Sequence, residues 1–436
     1  MHTATDPHTL NAPLAGRRED RLHGLDALRA FALLLGVLLH ASMSFLPGAR
    51  FFWVVNDHEK SILLGPVFFM IHVFRMPLFF MLAGFFAHMG LQKKGVSGFI
   101  RDRARRIALP LLIGWPLIFG IIVAAVVLAT RIRLGGNLPK QSPPIPSFTP
   151  GDFPLAHLWF LYMLLLLYIP SVALWALWTS AQASGLANRL SMQLNKQLSK
   201  QLSKQLSKQL DQVGKLITAS LTGWAAPFLL AVPVALALFY IPYWTNWFGV
   251  PTPDQSLYPS LAAWVSFGMA FGFGWLLQSC QDVFDRWKKR WPWHLLMAFA
   301  LSSYCLLLVG MVPRLMPAPH DADKLLYAFL YAAAAWHFCF GLTGLGLRYM
   351  NQASPTLRYV ADASYWIYLI HLPLIMAAQA GVSRSDWHWL LKLMVVLCST
   401  LLLTLLSYHW LVRYTWLGAV LNGKRAQRQT RARQHG

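Results

Sequence analysis

The sequence predicts an all-α polytopic membrane protein with about ten transmembrane helices and cytoplasmic N- and C-termini. Two features of composition predict this class: 56% of the 436 residues are hydrophobic and only 12% are charged, whereas soluble domains average about 25% charged residues. The third observation is that the apolar residues form runs of about 20, the length that crosses a bilayer as a helix. This composition excludes an ordinary soluble enzyme. The predicted spans are 25–46, 64–89, 107–130, 155–178, 216–240, 257–279, 291–312, 325–347, 363–382 and 388–412.

The positive charges predict how these helices are oriented. The formal net charge is +22, with 38 Lys and Arg against 16 Asp and Glu, which in a soluble protein would suggest nucleic-acid binding. With the N-terminus inside, however, 27 of the 38 positive residues fall in inner segments and only 8 in outer loops. Because cytoplasmic loops of membrane proteins are enriched in Lys and Arg, we expect both termini to be cytoplasmic and no nucleic acid to be a partner.

Composition divides the chain into three regions: a cytoplasmic arm over residues 1–24, a membrane domain over 25–413 and a basic tail over 414–436. We interpret the tail as an anchor to anionic lipids of the bilayer. Within the membrane domain, a repeated Lys-Gln-Leu-Ser sequence marks a cytoplasmic insertion at 190–215. Its leucines recur every four residues, which is compatible with an amphipathic basic helix, a flexible linker beside the inner leaflet, or an expanded loop without a specific role.

The first predicted span carries two ionisable residues that share one helical face. Arg29 and His40 are eleven residues apart, which is 20° after three turns of an α-helix, and Asp26 lies one turn before Arg29, where the two can pair. The helical rise places His40 about 16 Å further out than Arg29. Ionisable residues inside spans are candidates for function, although a snorkelling arginine and a hydrogen-bonded core histidine are the structural alternative.

Further candidates lie in three other spans. His72 and Arg75 are one turn apart in the second span, and Arg75 needs an anion or several carbonyls nearby because it stays charged. Arg103 and Arg106 are adjacent on one face where the third span begins, and His371 lies inside the ninth span. Each has a structural alternative: pairing with a neighbouring helix, fixing topology, or packing.

The outer loop 241–256 combines aromatic residues with few charges. It carries Tyr243, Trp244, Trp247, Phe248 and Asp254, and it has no Lys or Arg. Aromatic faces beside a few polar groups could stack on sugar rings. The alternative is a belt of aromatic residues at the membrane interface.

Together these residues suggest acyl transfer across the membrane. Guanidinium groups bind phosphates bidentately, so an acyl-CoA from the cytoplasm could bind at Arg103, Arg106 and Arg29 and extend its acyl end toward His40. A neutral histidine there can deprotonate a hydroxyl as it attacks a thioester. We expect acyl-CoA as co-substrate, no permanently bound cofactor and no metal. The alternatives are a transporter or flippase for an acidic or lipid-linked solute, and a regulatory membrane partner without activity.

Five sequence elements, in this order, resemble the acyltransferase-3 membrane family. Within that family the chain looks most like the glucan-modifying succinyltransferases of Gram-negative bacteria, and the resemblance covers about 20–415. The elements are Arg29-x10-His40, Met76-Pro-Leu-Phe-Phe-Met-Leu-Ala-Gly84-Phe85, Phe99 with Arg103-Ala-Arg105-Arg106-Ile107 and Pro110, His157-Leu-Trp159-Phe160-Leu161, and Ser364-Tyr-Trp-Ile-Tyr368-Leu-Ile-His371-Leu-Pro373.

The resemblance implies a multi-pass enzyme of the bacterial inner membrane that transfers an acyl group from acyl-CoA to hydroxyls of an extracytoplasmic, periplasmic glucan or other glycan. By resemblance His40 is the catalytic residue, and Arg29, Arg103 and Arg106 contact the donor. Succinyl is the favoured acyl group, with acetyl as the alternative. If the group is succinyl, its extra carboxylate needs a cation, for which Arg75 is a candidate.

Two positions depart from the family pattern. Ala83 stands where many members have a serine before Gly-Phe, so a serine has no role at that point. Met163 and leucines follow the Trp-Phe-Leu element where relatives in other branches carry an acid. The second departure is compatible with the glucan-modifying branch.

Overall fold

The computed structural model describes residues 15–135, 148–183, 223–352 and 354–423, and these ranges contain helices and no strand. The Lys-Gln-Leu-Ser insertion, residues 1–14 of the arm and residues 424–436 of the tail lie outside the described residues. In chain order the helices are α1 Ala15–Ser42, α2 Leu64–Arg103, α3 Leu109–Arg133, α4 Trp159–Ala183, α5 Ala226–Phe239, α6 Leu261–Ser279, α7 Val283–Val309, α8 Ala322–Tyr349, α9 Pro355–Val382, α10 Trp389–Ser407 and α11 Trp416–Asn422.

The prediction of an all-α polytopic membrane protein is confirmed. Eight described segments are long and apolar enough to cross a membrane. One of them, Leu64–Arg133, is 70 residues long and contains both α2 and α3, which are joined by a π-helical turn over Ala104–Ala108. The shorter apolar helix α5 has 14 residues and lies where the fifth span is predicted. The number of crossings and the orientation of the termini stay predictions.

A kink in α2 shapes one end of the bundle. Gly95 has a φ of +67° and a ψ of 177° inside this helix, a backbone conformation that residues with a Cβ rarely adopt. The segment after the kink folds back, so that Phe99 and Arg103 lie beside Gly90. The kink therefore turns the arginine-rich segment back onto the bundle.

Glycines bring some helices into close contact, as their clustering in the sequence indicates. A Cβ at Gly84 of α2 would overlap the backbone of Phe271 in α6, and one at Gly274 of α6 would overlap the backbone of Met81 in α2. Gly344 of α8 contacts the backbone of Trp287 in α7 in the same way. These contacts fix α2 against α6 and α7 against α8.

A buried ion pair holds the loop that follows α1. Lys392 of α10 donates from Nζ to Oδ1 of Asp57 at 2.7 Å, and both side chains are almost fully buried. The Asp57 backbone N–H also donates to the carbonyl oxygen of Ser44. The loop is thus tied to α10 directly beside the end of α1.

Candidate active site

A cavity of about 930 Å³ lies between α1, α2, α9 and the start of α4. Seven of the eight predicted site residues line it: Arg29, His40, His72, Arg75, Arg103, Arg106 and His371. The eighth, Asp26, pairs with Arg29 at 3.3 Å between Oδ1 and Nη2. The fold therefore brings together residues that the sequence distributes over four spans.

Three histidines from three different elements form a cluster in this cavity. The ring centroids of His40 and His371 are 5.4 Å apart, and those of His371 and His157 are 5.2 Å apart. His371 donates from Nδ1 to the carbonyl of Tyr368 at 2.7 Å, and His157 donates from Nε2 to the carbonyl of Leu369 at 3.0 Å. Because a carbonyl only accepts, these bonds fix which nitrogen carries the proton when each ring is neutral.

His40, like His157, has a buried ring nitrogen that forms no hydrogen bond with the described residues. In His40 this atom is Nδ1. The backbone around it is well fixed, since the amide of Gln379 donates to the carbonyl of His40 at 3.1 Å and of Ala41 at 3.0 Å. The amide oxygen of Gln379 accepts a hydrogen bond from Nε1 of Trp53 at 2.9 Å. The indole ring of Trp53 stacks on the ring of His40, with centroids 6.0 Å apart. The imidazole is positioned but free to exchange a proton with a ligand.

Arg75 is a guanidinium without an acidic partner beside this cluster. No carboxylate of the described residues lies within 4.0 Å of it, and its Nε has no hydrogen-bond partner there. It approaches α1 at Gly36, where a Cβ would come 2.8 Å from Nη1. His72, one turn earlier, stacks on Phe68 with ring centroids 5.6 Å apart. A charge in such a place is costly unless an anion or dipoles compensate it.

One end of the cavity, which we call the arginine end, is lined by Arg29, Arg103 and Arg106. Asp102 holds two of them, with Oδ2 at 3.1 Å from Nη2 of Arg103 and Oδ1 at 3.3 Å from Nε of Arg106. The guanidinium of Arg103 also lies over the ring of Tyr168 at 5.8 Å. These contacts orient the guanidinium groups while leaving them in the cavity wall.

The C-terminal end of α11 completes the arginine end of the cavity. The guanidinium of Arg106 lies against Gly423, which ends α11 with a φ of +74° and has no room for a Cβ. On the other side of Arg106, the hydroxyl of Tyr365 donates to its carbonyl at 2.6 Å. Asp362 lines this end as well.

The sequence did not single out several residues that the structure places at the site. His157, which the sequence marks only through the family resemblance, lies in the histidine cluster, where Tyr368 donates to its carbonyl at 2.6 Å. Trp53 comes from a loop with no recognisable pattern. Only His157 and Tyr368 carried a signal, because both belong to elements of the family resemblance.

The loop from Thr245 to Gln255 forms a wall of the cavity, and we call it the arch. Trp244 and Trp247, at its start, are each only 1% exposed, and Nε1 of Trp247 donates to the carbonyl of Gly310 at 3.0 Å. The idea that these two rings stack on sugars is therefore wrong, because they are packed in the core.

Other residues of the arch do face the cavity. Thr252 and Asp254 are among them, and the Thr252 hydroxyl donates to Oδ1 of Asp254 at 3.0 Å. Burial raises the pKa of the Asp254 carboxyl. The arch thus adds an oriented carboxyl group to the cavity, which the sequence did not identify as a site residue.

The chemistry available along this cavity changes from one end to the other. Phosphate-binding guanidinium groups lie at the arginine end, and His40 lies about 16 Å further along α1. The groups around His40 can accept and return protons. Among the described residues, no three His, Cys, Asp or Glu side chains are placed to hold a metal ion.

Comparison with known proteins identifies the family of the chain. The chain matches the family described as "Acyltransferase domain" over residues 22–409. It is 32% identical over 106 residues to the glucans biosynthesis protein C of Escherichia coli strain SMS-3-5 and of strain HS. That match covers 24% of this chain and only 26% of each relative. No solved structure is significantly similar to the chain. Since the family match spans most of the sequence, from α1 to the end of α10, the chain belongs to the acyltransferase-3 family and is a multi-pass membrane protein.

Proposed function

We propose that this enzyme transfers an acyl group, preferably succinyl, from cytoplasmic acyl-CoA to a hydroxyl of an extracytoplasmic glucan or other glycan at the bacterial inner membrane. The observation that carries the proposal is the single cavity that joins the arginine end to His40. The excess of Lys and Arg in the predicted inner segments supports cytoplasmic termini and hence a cytoplasmic arginine end.

In this proposal the donor binds along α1. Its phosphates contact Arg29, Arg103 and Arg106, since guanidinium groups form charge-assisted hydrogen bonds with phosphate oxygens. The pantetheine arm follows the cavity toward the histidine cluster, where the thioester lies beside His40. Acyl-CoA is consumed as a co-substrate and is released as free coenzyme A.

The reaction itself needs one base. His40 removes the proton of the acceptor hydroxyl while the oxygen attacks the thioester carbonyl, and the carbon–sulfur bond then breaks. The leaving thiolate takes the proton from the imidazolium, so that an ester and coenzyme A result. General-base catalysis of this kind contributes about 10²–10⁴-fold to a rate.

Arg75 supports succinyl as the acyl group. A succinyl chain carries a second carboxylate beyond the thioester, and Arg75 is the cation that lines the cavity close to His40. It lacks an acidic partner among the described side chains. An acetyl group would leave this charge uncompensated.

The proposal is tested by mass spectrometry of periplasmic and envelope glycans from cells that express wild-type protein, His40→Ala or no protein. We expect a mass increment equal to the acyl group with the wild type only. His320→Ala is the matched control, because His320 is exposed and lies outside the cavity. Unchanged glycan masses would reject the proposal, and solute flux in proteoliposomes without acyl-CoA would favour the alternative of a transporter or flippase.

A further inference from the structure

The arch is a rigid part of the cavity wall. Tyr327 of α8 donates to the carbonyl of Asn246 at 3.0 Å, next to the anchored Trp247. Gly249 has a φ of +61°, and a Cβ there would overlap the ring of Tyr331. At the far end of the arch, the carbonyl of Asp254 accepts from the backbone N–H of Ala156 at 2.9 Å. The cavity face of the arch is therefore set before any ligand binds.

The arch lies at the histidine end of the cavity. Its Phe248 backbone lies close to His72, and the carbonyl of its Asp254 accepts a hydrogen bond from Ala156, the residue that precedes His157. The ring of Phe248 contacts that of Phe52 with centroids 5.0 Å apart. A molecule that lies along the arch is thus next to the cluster that contains His40.

The cavity face of the arch combines four polar residues with Phe248, Gly249, Val250 and Pro251, and it carries no positive charge. Thr245, Thr252, Asp254 and Gln255 line the cavity there, and residues 241–256 include no Lys or Arg. The cations in the described lining belong to other elements: Arg29, Arg75, Arg103 and Arg106. A phosphate at the arch would face a carboxylate, and a lipid chain would bury hydroxyl, amide and carboxyl groups without partners, which is costly.

Neutral hydroxyl-rich molecules avoid both costs. Their hydroxyls can donate to the Asp254 carboxylate and the Gln255 carbonyl, and they can accept from the Gln255 amide. The indole ring of Trp53, which lines the cavity beside His40, offers an aromatic surface for the apolar side of a sugar ring. Binding sites with a few placed polar groups beside aromatic rings are typical of small-ligand cavities.

We propose that the arch is the acceptor subsite, where Asp254, Thr252 and Gln255 bind the hydroxyls of a neutral sugar ring and present one further hydroxyl to His40. This inference rests on the proposed function. It separates the cavity into an anionic-donor end at the arginines and a neutral-acceptor end at the arch.

The experiment measures binding and transfer separately in purified protein. Binding of neutral cello-oligosaccharides is measured by isothermal calorimetry. Acyl transfer to them from succinyl-CoA is measured separately, and so is hydrolysis of the succinyl-CoA thioester in the absence of acceptor. Asp254→Ala is expected to raise the oligosaccharide Kd and the acceptor KM about tenfold or more, with a much smaller effect on the donor KM. Thr252→Val, which removes one orienting bond, should have a smaller effect.

Asp323→Asn is the control, because it removes an exposed acid outside the cavity and should match the wild type. Sulfated cello-oligosaccharides should bind more weakly than neutral ones. Equal Kd and KM values in Asp254→Ala and wild type, or no oligosaccharide binding by folded wild type, would overturn the inference. Transfer by the wild type with no effect of Asp254→Ala would leave the proposed function intact, whereas oligosaccharide binding without any transfer would reject the proposed function alone.

Discussion

His40 and His371 lie side by side in the cavity with ring centroids 5.4 Å apart, although one belongs to α1 and the other to α9. The Nδ1 of His371 is used by the carbonyls of its own helix, whereas the Nδ1 of His40 has no partner among the described residues. We infer that His40 exchanges the proton and that His371, which packs beside it, positions its ring.

His371→Ala tests this positioning role. We expect transfer to fall about 10- to 100-fold, the scale of a small misplacement of a catalytic group, with the donor KM unchanged. His371→Asn should recover part of the rate, since its amide can still donate to the carbonyl of Tyr368. Steady-state kinetics of both variants check this, and an equal loss in both would show that the ring itself takes part in the chemistry.

Arg103 and Arg106 are predicted to bind the donor. Removing one charge-assisted contact costs about 1.5–3 kcal/mol, so Arg103→Ala and Arg106→Ala should each weaken coenzyme A binding about 10- to 100-fold. Arg105→Ala is the matched control, because Arg105 is exposed on the same segment and lies outside the cavity lining. Isothermal calorimetry measures the three affinities, and identical values for Arg103→Ala and the control would exclude Arg103 from the site.

Arg75 is predicted to select the acyl group. Arg75→Met should lower kcat/KM for succinyl-CoA about 10- to 100-fold, the loss expected for one charge-assisted contact, and change that for acetyl-CoA little. Gly36→Ala should act in the same direction, because the added methyl group would come 2.8 Å from Nη1 of Arg75 and displace the guanidinium. Competition between the two donors measures the preference. A parallel loss for both donors would argue that Arg75 stabilises the fold or the reaction rather than the succinyl carboxylate.

The ion pair between Asp57 and Lys392 is predicted to stabilise the fold. Lys392→Met removes the buried cation beside Asp57, which costs about 3–5 kcal/mol, whereas Asp57→Asn combined with Lys392→Met should recover much of that loss. Thermal unfolding in detergent compares the variants. A midpoint for Lys392→Met equal to that of the wild type would show that the pair contributes nothing.

Much of the helical framework follows from the sequence, because membrane spans have a clear length and polarity. The spans miss the polar extensions of helices: α2 continues to Arg103 and α7 begins at Val283, since backbone hydrogen bonds extend a helix regardless of hydropathy. The kink at Gly95 could not be predicted either, because the sequence does not show which φ a glycine adopts.

The sequence predicted most of the residues that line the site, but it predicted their relative placement only where they lie on one helix. The face shared by Arg29 and His40 follows from helical periodicity. The contacts of His40 with His371 and Trp53 depend on how α1 packs against α9 and the following loop, which periodicity does not encode. The arch was visible as an aromatic loop with one acid, but which of its residues are buried depends on its contacts with α8, so the sequence could not show that Trp247 is buried and that Asp254 faces the cavity.

We propose that His40 is the base for acyl transfer to a glycan. The rate of acyl transfer by purified His40→Ala tests this role most directly. We expect the transfer rate to fall about 10²–10⁴-fold, while coenzyme A affinity, oligosaccharide affinity and the thermal unfolding midpoint stay equal to those of the wild type. Transfer at the wild-type rate by the folded variant would contradict it.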